Sequence, residues 1–287
     1  MGKNRRSITV AAAIALAASA LTACTVTSDG TPRAADLNVG YTGPALEQRA
    51  DLTDAEYFAP GVELSVGVGS NAVTCTAGWI LQEAGVPVGV LTAGQCGRSG
   101  PGSPVSFMYK GERVNLGHIT ETSFKDDEEF NTSRVNMALI AVNQDTMSDV
   151  LSGAFAIPSL SLLSEAVGGK SLGDAKSFSS HRNWGVCWVY KLSTFEGLNL
   201  EEGCGTVSDV IPYTGDRAGD GKLILKPDKG TDLPDKAGYG APVTFIPERT
   251  GAPVGIVTDI RDGKVVVDTF GAMLDSTGLK VANRVGR

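Results

Sequence analysis

Short apolar segments, separated by Gly, Pro, Asn and Asp, follow one another from Gly61 towards the C-terminus and limit this chain to a few folds. The first, Val62–Val68, alternates apolar with polar or small residues, which is the period of a half-buried strand. Many short strands at this spacing predict an all-β sandwich or a pair of barrels. No alternation of strands with long helices is present, which excludes Rossmann-like and hydrolase-type sheets. Short helices are predicted at Leu160–Val167 and Ala272–Ser276. The predicted strands are Val62–Val68, Gly78–Leu81, Val86–Leu91, Val105–Tyr109, Val114–Thr120, Val135–Val142, Gly185–Lys191, Gly205–Ile211, Leu223–Leu225, Val243–Ile246, Val254–Ile260 and Lys264–Phe270.

The N-terminus has the pattern of a segment that directs export. Met1–Arg6 carries three positive charges and no acid, and Ser7–Leu21 is an apolar, alanine-rich run of the length of a signal-peptide core. This run is too short for a permanent transmembrane helix. The residues Leu-Thr-Ala-Cys that end at Cys24 resemble the lipobox of bacterial lipoproteins, in which the cysteine thiol is joined to diacylglycerol. A plain secretory signal followed by an unrelated cysteine is the alternative.

The lipobox resemblance implies that residues 1–23 are removed and that Cys24 becomes a lipidated N-terminus. The protein would then be anchored through diacylglycerol to the extracytoplasmic face of a bacterial membrane. Residues 24–60 contain scattered charges, Gly and Pro with little periodicity, so we expect a tether there, within which Leu46–Phe58 is compatible with a short helix. Two β-domains are predicted to follow, at 61–150 and 151–287.

The charge of the chain limits its partners. The net charge is −7, and removal of residues 1–23 changes it to −10. Nucleic acid is therefore excluded as a partner, because phosphate binding needs a surplus of Lys and Arg. With only two histidines, His118 and His181, a histidine-rich metal centre is not expected, and no metal or cofactor is predicted. The segment Lys125–Glu129 is rich in carboxylates but lacks the ligand spacing of a known calcium loop.

The five cysteines fit an exported protein. Lipidation of Cys24 accounts for the odd one, and the other four are expected to form disulfides outside the cytoplasm. Pairing of sequence neighbours, Cys75 with Cys96 and Cys187 with Cys204, would close two short loops. A four-cysteine zinc site is the alternative, although the chain has no C-x-x-C pair.

One motif combines Cys-Thr-Ala-Gly-Trp over Cys75–Trp79 with Gly-Val-Leu-Thr-Ala-Gly-Gln-Cys-Gly over Gly89–Gly97. It resembles a motif of the chymotrypsin-like serine peptidases, in particular their bacterial streptogrisin and alpha-lytic branch, in which C-T-A-G-F is followed by G-x-L-T-A-G-H-C-G. The second part departs from that pattern at Gln95, which stands at the position of the catalytic histidine. The resemblance implies a disulfide between Cys75 and Cys96 beside that position.

Two further motifs correspond to the other catalytic positions of this family. Asn136–Ile140, with the sequence Asn-Met-Ala-Leu-Ile, resembles the strand D-x-A-L-I, whose aspartate orients the histidine. Ala237–Val243, with the sequence Ala-Gly-Tyr-Gly-Ala-Pro-Val, resembles G-D-S-G-A/G-P-V, and Tyr239 stands at the position of the nucleophilic serine. The glycine and aspartate before that serine are also replaced, by Ala237 and Gly238.

The resemblance extends over nearly the whole mature chain. Trp184–Cys187 and Cys204–Val207 resemble the second cysteine pair of the branch, which implies a disulfide between Cys187 and Cys204. Gly255–Thr258 resembles the strand after the nucleophile, and Leu274–Val281 resembles the C-terminal helix and tail. The implied fold consists of two packed six-stranded antiparallel barrels of chymotrypsin-like type, with a cleft between them and a short C-terminal helix.

None of the three replacements can perform the chemistry of the residue it replaces. The amide of Gln95 is not basic near neutral pH, so it cannot take a proton from a nucleophile. Asn136 in place of the aspartate would cost about 10⁴ in rate even where the histidine is present. Tyr239 offers a phenol of pKa about 10 on a bulky ring instead of a serine hydroxyl. We therefore expect no triad catalysis, with the three residues either filling a retired site or lining a polar binding cleft.

The sequence thus favours a non-catalytic, serine-peptidase-like lipoprotein that binds or scaffolds a partner at the cell envelope. Because the family's cleft captures an extended chain by strand addition, a protein or peptide is the expected ligand, and the candidate strand consists of Gly255, Ile256, Val257 and Thr258. One alternative is an active secreted serine-type endopeptidase or other hydrolase with an unorthodox site. Another is a purely structural domain whose partner surface lies elsewhere. Nothing in the sequence indicates the oligomeric state.

Overall fold

The computed structural model describes residues 54–55, 58–83, 86–124, 135–146, 182–193, 199–213, 220–235, 238–245, 253–271, 274 and 278–281. These residues contain fifteen β-strands arranged in two sheets, which confirms the predicted all-β class. Within the same residues no helix is long and apolar enough to cross a membrane. The predicted export segment with Cys24, the predicted helix Leu160–Val167 and His181 lie outside the described residues.

The first sheet is built mainly from the N-terminal half of the chain. Its nine strands are β1 (Asp54–Ala55), β2 (Glu63–Val66), β3 (Val73–Thr76), β4 (Ile80–Glu83), β5 (Val86–Ala93), β6 (Pro104–Tyr109), β7 (Glu112–Thr122), β8 (Met137–Val142) and β15 (Lys280–Val281). Their order in the sheet is β15-β4-β5-β8-β7-β6-β2-β3, and neighbours along this path run antiparallel. Lys110 and Gly111, between β6 and β7, both have positive φ, as a tight two-residue hairpin turn demands.

This sheet curls back on itself. Strands β3 and β4 are far apart in the sheet order but are joined by only three residues, Ala77–Trp79. Ala77 N–H donates to Val62 O, just before β2, at 2.8 Å, and Gly78 N–H donates to Leu91 O on β5 at 2.8 Å. The link is therefore bonded to residues on both of its sides. The first half therefore resembles a barrel, but its nine described strands do not close into a ring. The sequence had predicted a closed barrel of six strands for this half. Its interior is filled by apolar side chains that include Leu64, Val90, Phe107, Leu116 and Ile140.

The folded part begins before Gly61, the predicted end of the tether. Strand β1 (Asp54–Ala55) pairs in parallel with the end of β6, so this stretch is extended and not the end of a helix. The ring of Phe58 is buried and packs edge-to-face on Phe107, with centroids 5.0 Å apart. The sequence pattern did not predict that this segment belongs to the fold, because its few apolar residues follow neither the period of a strand nor that of a helix.

The second sheet is a closed six-stranded barrel, as predicted. Its strands are β9 (Gly185–Ser193), β10 (Asn199–Pro212), β11 (Gly221–Pro227), β12 (Pro242–Phe245), β13 (Pro253–Arg261) and β14 (Lys264–Thr269). They follow one another around the ring in the order β10-β11-β14-β13-β12-β9. Val, Leu and aromatic side chains, among them Trp188 and Phe245, fill the interior of the barrel. Asp262 and Gly263 form the tight turn between β13 and β14, and both have positive φ.

A third apolar cluster lies between the first sheet and the barrel. It joins side chains of β4, β5 and β8 to Ile256, Phe270 and the C-terminal segment. The buried Trp79 Nε1 donates to Gly255 O at 2.9 Å, which links the two sheets directly. The two halves are therefore packed against each other through one continuous apolar interface.

The C-terminal segment crosses from the barrel back to the first sheet. Two backbone hydrogen bonds have helical spacing, Leu274 N–H to Phe270 O at 3.0 Å and Gly278 N–H to Leu274 O at 2.9 Å, in agreement with a short C-terminal helix. The chain then forms β15 against β4, with Val281 opposite Leu81.

Both predicted disulfides are present. Cys75 on β3 is joined to Cys96, which lies 21 residues further along the chain. Cys187 and Cys204 are opposite each other on β9 and β10 and are also joined. The zinc alternative is thereby excluded for these four residues, because a thiol that is oxidised to a disulfide is not available as a thiolate ligand.

Candidate functional site

Gln95 and Asn136 meet where β5 ends and the neighbouring strand β8 begins. Gln95 lies in a single 3₁₀ turn, Gly94–Gly97, that follows β5, and Asn136 lies immediately before β8. The turn is held against β8 because Gly94 N–H donates to Asn136 O at 2.9 Å. Asn136 Nδ2 then donates to Gln95 Oε1 at 2.7 Å. Two of the three predicted site residues are therefore directly hydrogen-bonded to each other.

Both amides also bind the same backbone carbonyl of the barrel. Gln95 Nε2 donates to Thr258 O at 2.7 Å, and Asn136 Nδ2 donates to it at 3.1 Å. The register of β13 against β14 shifts between Val257 and Asp259, so Thr258 is the extra residue of a β-bulge. The bulge interrupts regular pairing there, and side chains of the first sheet take up the Thr258 carbonyl.

Tyr239 lies in a turn between the two sheets. Ala241 N–H donates to Gly238 O at 3.0 Å and closes the turn. The carbonyl oxygen of Tyr239 accepts from Thr76 N–H at 2.8 Å and lies 3.8 Å from Cys96 Sγ. Cys96 is the residue that follows Gln95 in the chain. Its half-buried side chain packs against the apolar cluster of the first sheet. The fold thus places all three sequence-predicted positions around the Cys75–Cys96 disulfide.

The phenol of Tyr239 is poorly suited to act as a nucleophile. Burial raises its pKa, the nearby carboxylate of Asp259 raises it further, and Arg261 acts in the opposite direction. The phenolate that could attack a carbonyl is therefore scarcer at neutral pH than for an ordinary tyrosine. Asp259 is itself engaged, since its Oδ2 lies 3.5 Å from Arg261 Nε and its Oδ1 accepts from Ile260 N–H at 2.8 Å.

Neutral hydrogen-bonding groups dominate the chemistry of this site. The amides of Gln95 and Asn136 donate and accept hydrogen bonds but do not take up a proton near pH 7. Asn136 Oδ1 and Thr258 Oγ1 are buried and have no hydrogen-bond partner in the described part of the protein. Among the described residues there is no group of three or more His, Cys, Asp or Glu that could hold a metal ion.

The predicted peptide-binding strand is not an open edge. Within Gly255–Thr258, the first three residues pair with β14 on one side and bond to β12 or Gly240–Ala241 on the other. Ile256, Val257 and Thr258 are fully buried, and the carbonyl of Thr258 is taken by the two amides. A peptide cannot add to this stretch because its backbone groups are already in use. The more exposed part of β13 is the following stretch, Asp259–Arg261.

Sequence reasoning missed three buried polar residues behind the site. Asp268 Oδ2 accepts from the backbone N–H of Asn136 at 2.8 Å. Asp268 Oδ1 accepts from Lys222 Nζ at 2.6 Å and from the hydroxyl of Tyr213. The available signal was the presence of Lys222 and Asp268 inside apolar strands, at positions that alternate with the barrel-facing residues Leu223 and Val267. That pattern is equally typical of a solvent-facing side of a strand.

His118 lies apart from the site, on β7, and is 8% exposed. Burial lowers its pKa below the usual 6.5, because the protonated imidazole is the form that loses hydration. His118 falls in none of the three motifs that carry the family resemblance.

Comparisons with known proteins give structural similarity alone. No family model matches the chain, and no curated protein matches it by sequence. Among solved structures, a glutamic acid-specific serine protease that uses a histidine triad in substrate binding is 13% identical, with a TM-score of 0.42, over 78% of this chain and 100% of that chain. The protease Anisep from Arthrobacter nicotinovorans is also 13% identical, with a TM-score of 0.42, over 79% of this chain and 96% of that one.

An inactivated protease paralogue of the scabies mite is similar to the same extent. It is 13% identical, with a TM-score of 0.45, over 75% of this chain and 90% of that chain. At these levels of identity and superposition, none of the activities of these proteins carries over to this chain.

Proposed function

We propose that this chain is a non-catalytic, serine-peptidase-like lipoprotein of a bacterial cell envelope that binds or scaffolds a protein or peptide. One observation carries the proposal: the amides of Gln95 and Asn136 bond to each other and jointly to Thr258 O, at the positions where the resemblance calls for histidine and aspartate. This set of hydrogen bonds holds no group that takes up a proton near neutral pH. It supports a stable retired site.

The missing proton acceptor is decisive for the chemistry. Triad catalysis requires a base to remove the proton of the nucleophile and to return it to the leaving group. Gln95 does neither, and Tyr239 presents a phenol whose pKa is raised by burial and by Asp259. Loss of a nucleophile and its base costs about 10⁶ in rate in the subtilisin example. Turnover by this route is therefore expected to be undetectable.

The catalytic part of the proposal is tested with the mature chain, residues 24–287, carrying Cys24→Ser to avoid lipidation. The chain is incubated with casein for a day, and new amino termini are quantified. We expect none above the level without protein. Casein cleavage that co-purifies with the chain through a second, orthogonal column would overturn the proposal in favour of a hydrolase with another catalytic group.

A restored variant tests whether the cleft has the predicted arrangement. It combines Gln95→His, Asn136→Asp and Tyr239→Ser, and it leaves Gly238 unchanged because a side chain there would collide with Pro234. The matched control replaces Tyr239 by Ala and keeps the other two changes. Cleavage by the serine version alone supports a peptidase-like cleft that has lost its catalytic groups.

The binding part is tested by screening random peptides on the same mature chain. The stretch Asp259–Arg261 continues β13 beyond the bulge and is the part of that strand that remains accessible to an extended ligand. Peptides that bind the mature chain in this screen are expected not to bind the Arg261→Glu variant. They are expected to bind the Lys280→Glu variant, which makes the same reversal of charge at an exposed position of β15 and serves as the control. Equal binding of a peptide to both variants would show that the peptide binds outside Asp259–Arg261.

The membrane anchor is tested on the full chain expressed in a bacterium. The sequence up to Cys24 supports lipidation, so the protein is expected in the detergent phase on phase partitioning. Cys24→Ser is expected to move it to the aqueous phase or leave an uncleaved precursor. Aqueous partitioning of the unmodified chain would leave a plain secretory signal as the better explanation.

A further inference from the structure

A buried ion pair lies on the face of the barrel that points towards the first sheet. Lys222 on β11 and Asp268 on β14 are register partners, and Ile256 on β13 continues the same row. The side chain of Ile256 belongs to the apolar cluster between the two halves, which identifies the face on which this row lies. Lys222 and Asp268 are 1% and 0% exposed, and Lys222 Nζ is 2.6 Å from Asp268 Oδ1.

The two carboxylate oxygens of Asp268 serve different halves of the molecule. Oδ1 accepts from Lys222 Nζ and from the hydroxyl of Tyr213, which both belong to the barrel. Oδ2 accepts from the backbone N–H of Asn136, which belongs to the first sheet. The side chain of Asn136 in turn binds Gln95 and Thr258 O. A continuous series of hydrogen bonds therefore leads from Lys222 to the candidate site.

Stability alone does not account for this arrangement. Removing two charges from water is costly, and well-packed apolar residues of similar volume often replace a buried ion pair without loss of stability. An apolar pair would, however, leave the N–H of Asn136 without its acceptor. The carboxylate is the group that reaches the first sheet, and Lys222 and Tyr213 supply the donors that hold it in position inside the barrel.

We propose that Asp268, held by Lys222 and Tyr213, is a positioning residue that fixes Asn136 and, through it, Gln95 against the carbonyl of Thr258. Asp268 acts through the backbone of Asn136. The barrel thereby sets the position of the two amides that lie in the first sheet. This inference does not depend on which ligand the cleft binds or on whether the chain is catalytic.

Two double variants with neutral interiors separate positioning from mere packing. Lys222→Met with Asp268→Asn keeps an oxygen that can accept from Asn136 N–H, whereas Lys222→Met with Asp268→Leu does not. Backbone amide exchange is measured by NMR on the mature chain with Cys24→Ser. In the leucine version, exchange of the Asn136 amide is expected to be about tenfold faster, or more, than in the asparagine version. Amides of Leu139 and Ile140, in the middle of β8, are expected to exchange at equal rates in both.

The side-chain amide of Gln95 gives a second signal that packing would not move. Its NMR resonances are expected to shift in the leucine version and to stay close to the wild-type positions in the asparagine version. The proposal is overturned if Asn136 exchanges equally fast in both versions. It is equally overturned if Leu139 and Ile140 accelerate as much as Asn136, because the effect is then one of global stability.

A milder substitution covers the case in which the leucine version does not fold. Tyr213→Phe keeps the ion pair and removes one of the donors that orient Asp268. Shifts of the Asn136 backbone amide and the Gln95 side-chain amide are expected. The matched control is Ser208→Ala, which removes a hydroxyl that binds Ile224 O on the exposed side of the same barrel. Shifts no larger than those of the control would overturn the proposal.

Discussion

At the level of single residues, the candidate site consists of two side-chain amides at positions where the family resemblance of the sequence implies histidine and aspartate. Asn136 donates from one nitrogen to two oxygens, Gln95 Oε1 and Thr258 O. Gln95 donates to the same carbonyl at 2.7 Å. The two amide nitrogens therefore supply the donors that Gln95 Oε1 and Thr258 O accept, and a carboxylate introduced alone at position 136 would remove one of these donors.

Replacement of Asn136 by aspartate alone is expected to destabilise the protein by about 2–4 kcal/mol at neutral pH. The carboxylate would face two carbonyl oxygens and would add a second negative charge near Asp268. The loss should lessen as the pH falls, because the protonated acid can donate to one of those oxygens. Urea unfolding at pH 7.5 and pH 5 measures both effects, and an unchanged midpoint at pH 7.5 would contradict the hydrogen-bond assignment.

The same substitution should cost less beside Gln95→His, since an imidazole can donate to the new carboxylate. The two changes are therefore expected to be non-additive, and the double variant should be more stable than the sum of the single changes predicts. Strict additivity would mean that the two side chains do not interact.

His118 should make the stability of the protein depend on pH. Burial lowers its pKa in the folded state below the unfolded value of 6.5. Its contribution is therefore complete above that value and is lost as the pH falls from there towards the lower, folded-state pKa, with a limiting slope of about 1.4 kcal/mol per pH unit. His118→Gln is expected to reduce the decline in unfolding free energy between pH 7.5 and pH 5. Parallel declines in the variant and the parent chain would contradict the pKa shift.

At the level of strands and turns, two local irregularities create the site. The bulge at Thr258 releases its carbonyl from regular pairing in β13. The turn around Tyr239 ends at Gly240, which has a φ of 98° and whose N–H donates to Val257 O at 2.8 Å. The bulge and the turn are thus hydrogen-bonded to each other, and both contact the first sheet. The bulge does so through the carbonyl of Thr258, and the turn does so through the carbonyl of Tyr239.

Gly240 is expected to be intolerant of any side chain. A Cβ at this position would collide with Thr76 O and Thr92 Oγ1, in addition to the unfavourable φ. Gly240→Ala is therefore expected to lower the unfolding free energy by about 3 kcal/mol or more. Gly111→Ala is the control, because it has a φ of 81° but no atom within 4 Å of the added Cβ, and it should cost about 1 kcal/mol. Equal losses in urea unfolding would assign the whole effect to backbone strain.

At the level of the whole molecule, one apolar interface joins the two halves. Trp79, Leu91 and Ile256 contribute to it, and the C-terminal strand closes it against β4. The site lies across the same boundary, because Gln95 and Asn136 belong to the first sheet and Thr258 belongs to the barrel. Anything that separates the halves should therefore also disturb the amide pair.

Val281→Asp tests this dependence on the interface. Val281 is buried in the cluster between the halves, so a charge there is expected to cost about 3 kcal/mol or more. Lys280→Asp, at the neighbouring exposed position, should stay within about 0.5 kcal/mol of the parent chain. Urea unfolding measures both. A Val281→Asp variant that is as stable as Lys280→Asp would show that the C-terminal strand does not hold the halves together.

The linear order of residues was sufficient for the strand-rich class, which follows from the alternation along short segments. The resemblance of short motifs to a known family implied both disulfides, and they are present. The functional role of Gln95, Asn136 and Tyr239 rests on the same motifs and stays a prediction. The sequence also showed that Gln95 and Asn136 cannot act as bases, because a side-chain amide does not take up a proton near neutral pH in any environment. The proposed lipid anchor at Cys24 is likewise a statement about a motif and stays a prediction.

The errors and omissions concern contacts between residues that are distant in the chain. Gly255–Thr258 was predicted to be a strand edge that accepts a peptide, but this stretch is already paired on both sides. Whether a strand has an unpaired side depends on its neighbours in the sheet, which the local sequence does not specify. Strand β1 was missed for the same reason, because its partner β6 lies some fifty residues away in sequence and pairing compensates for its weak local pattern. Asp268 serves Asn136 because the register of β14 places it on the face that meets the first sheet. Burial and hydrogen-bond partners are properties of the packed molecule, so the tertiary structure alone could assign them.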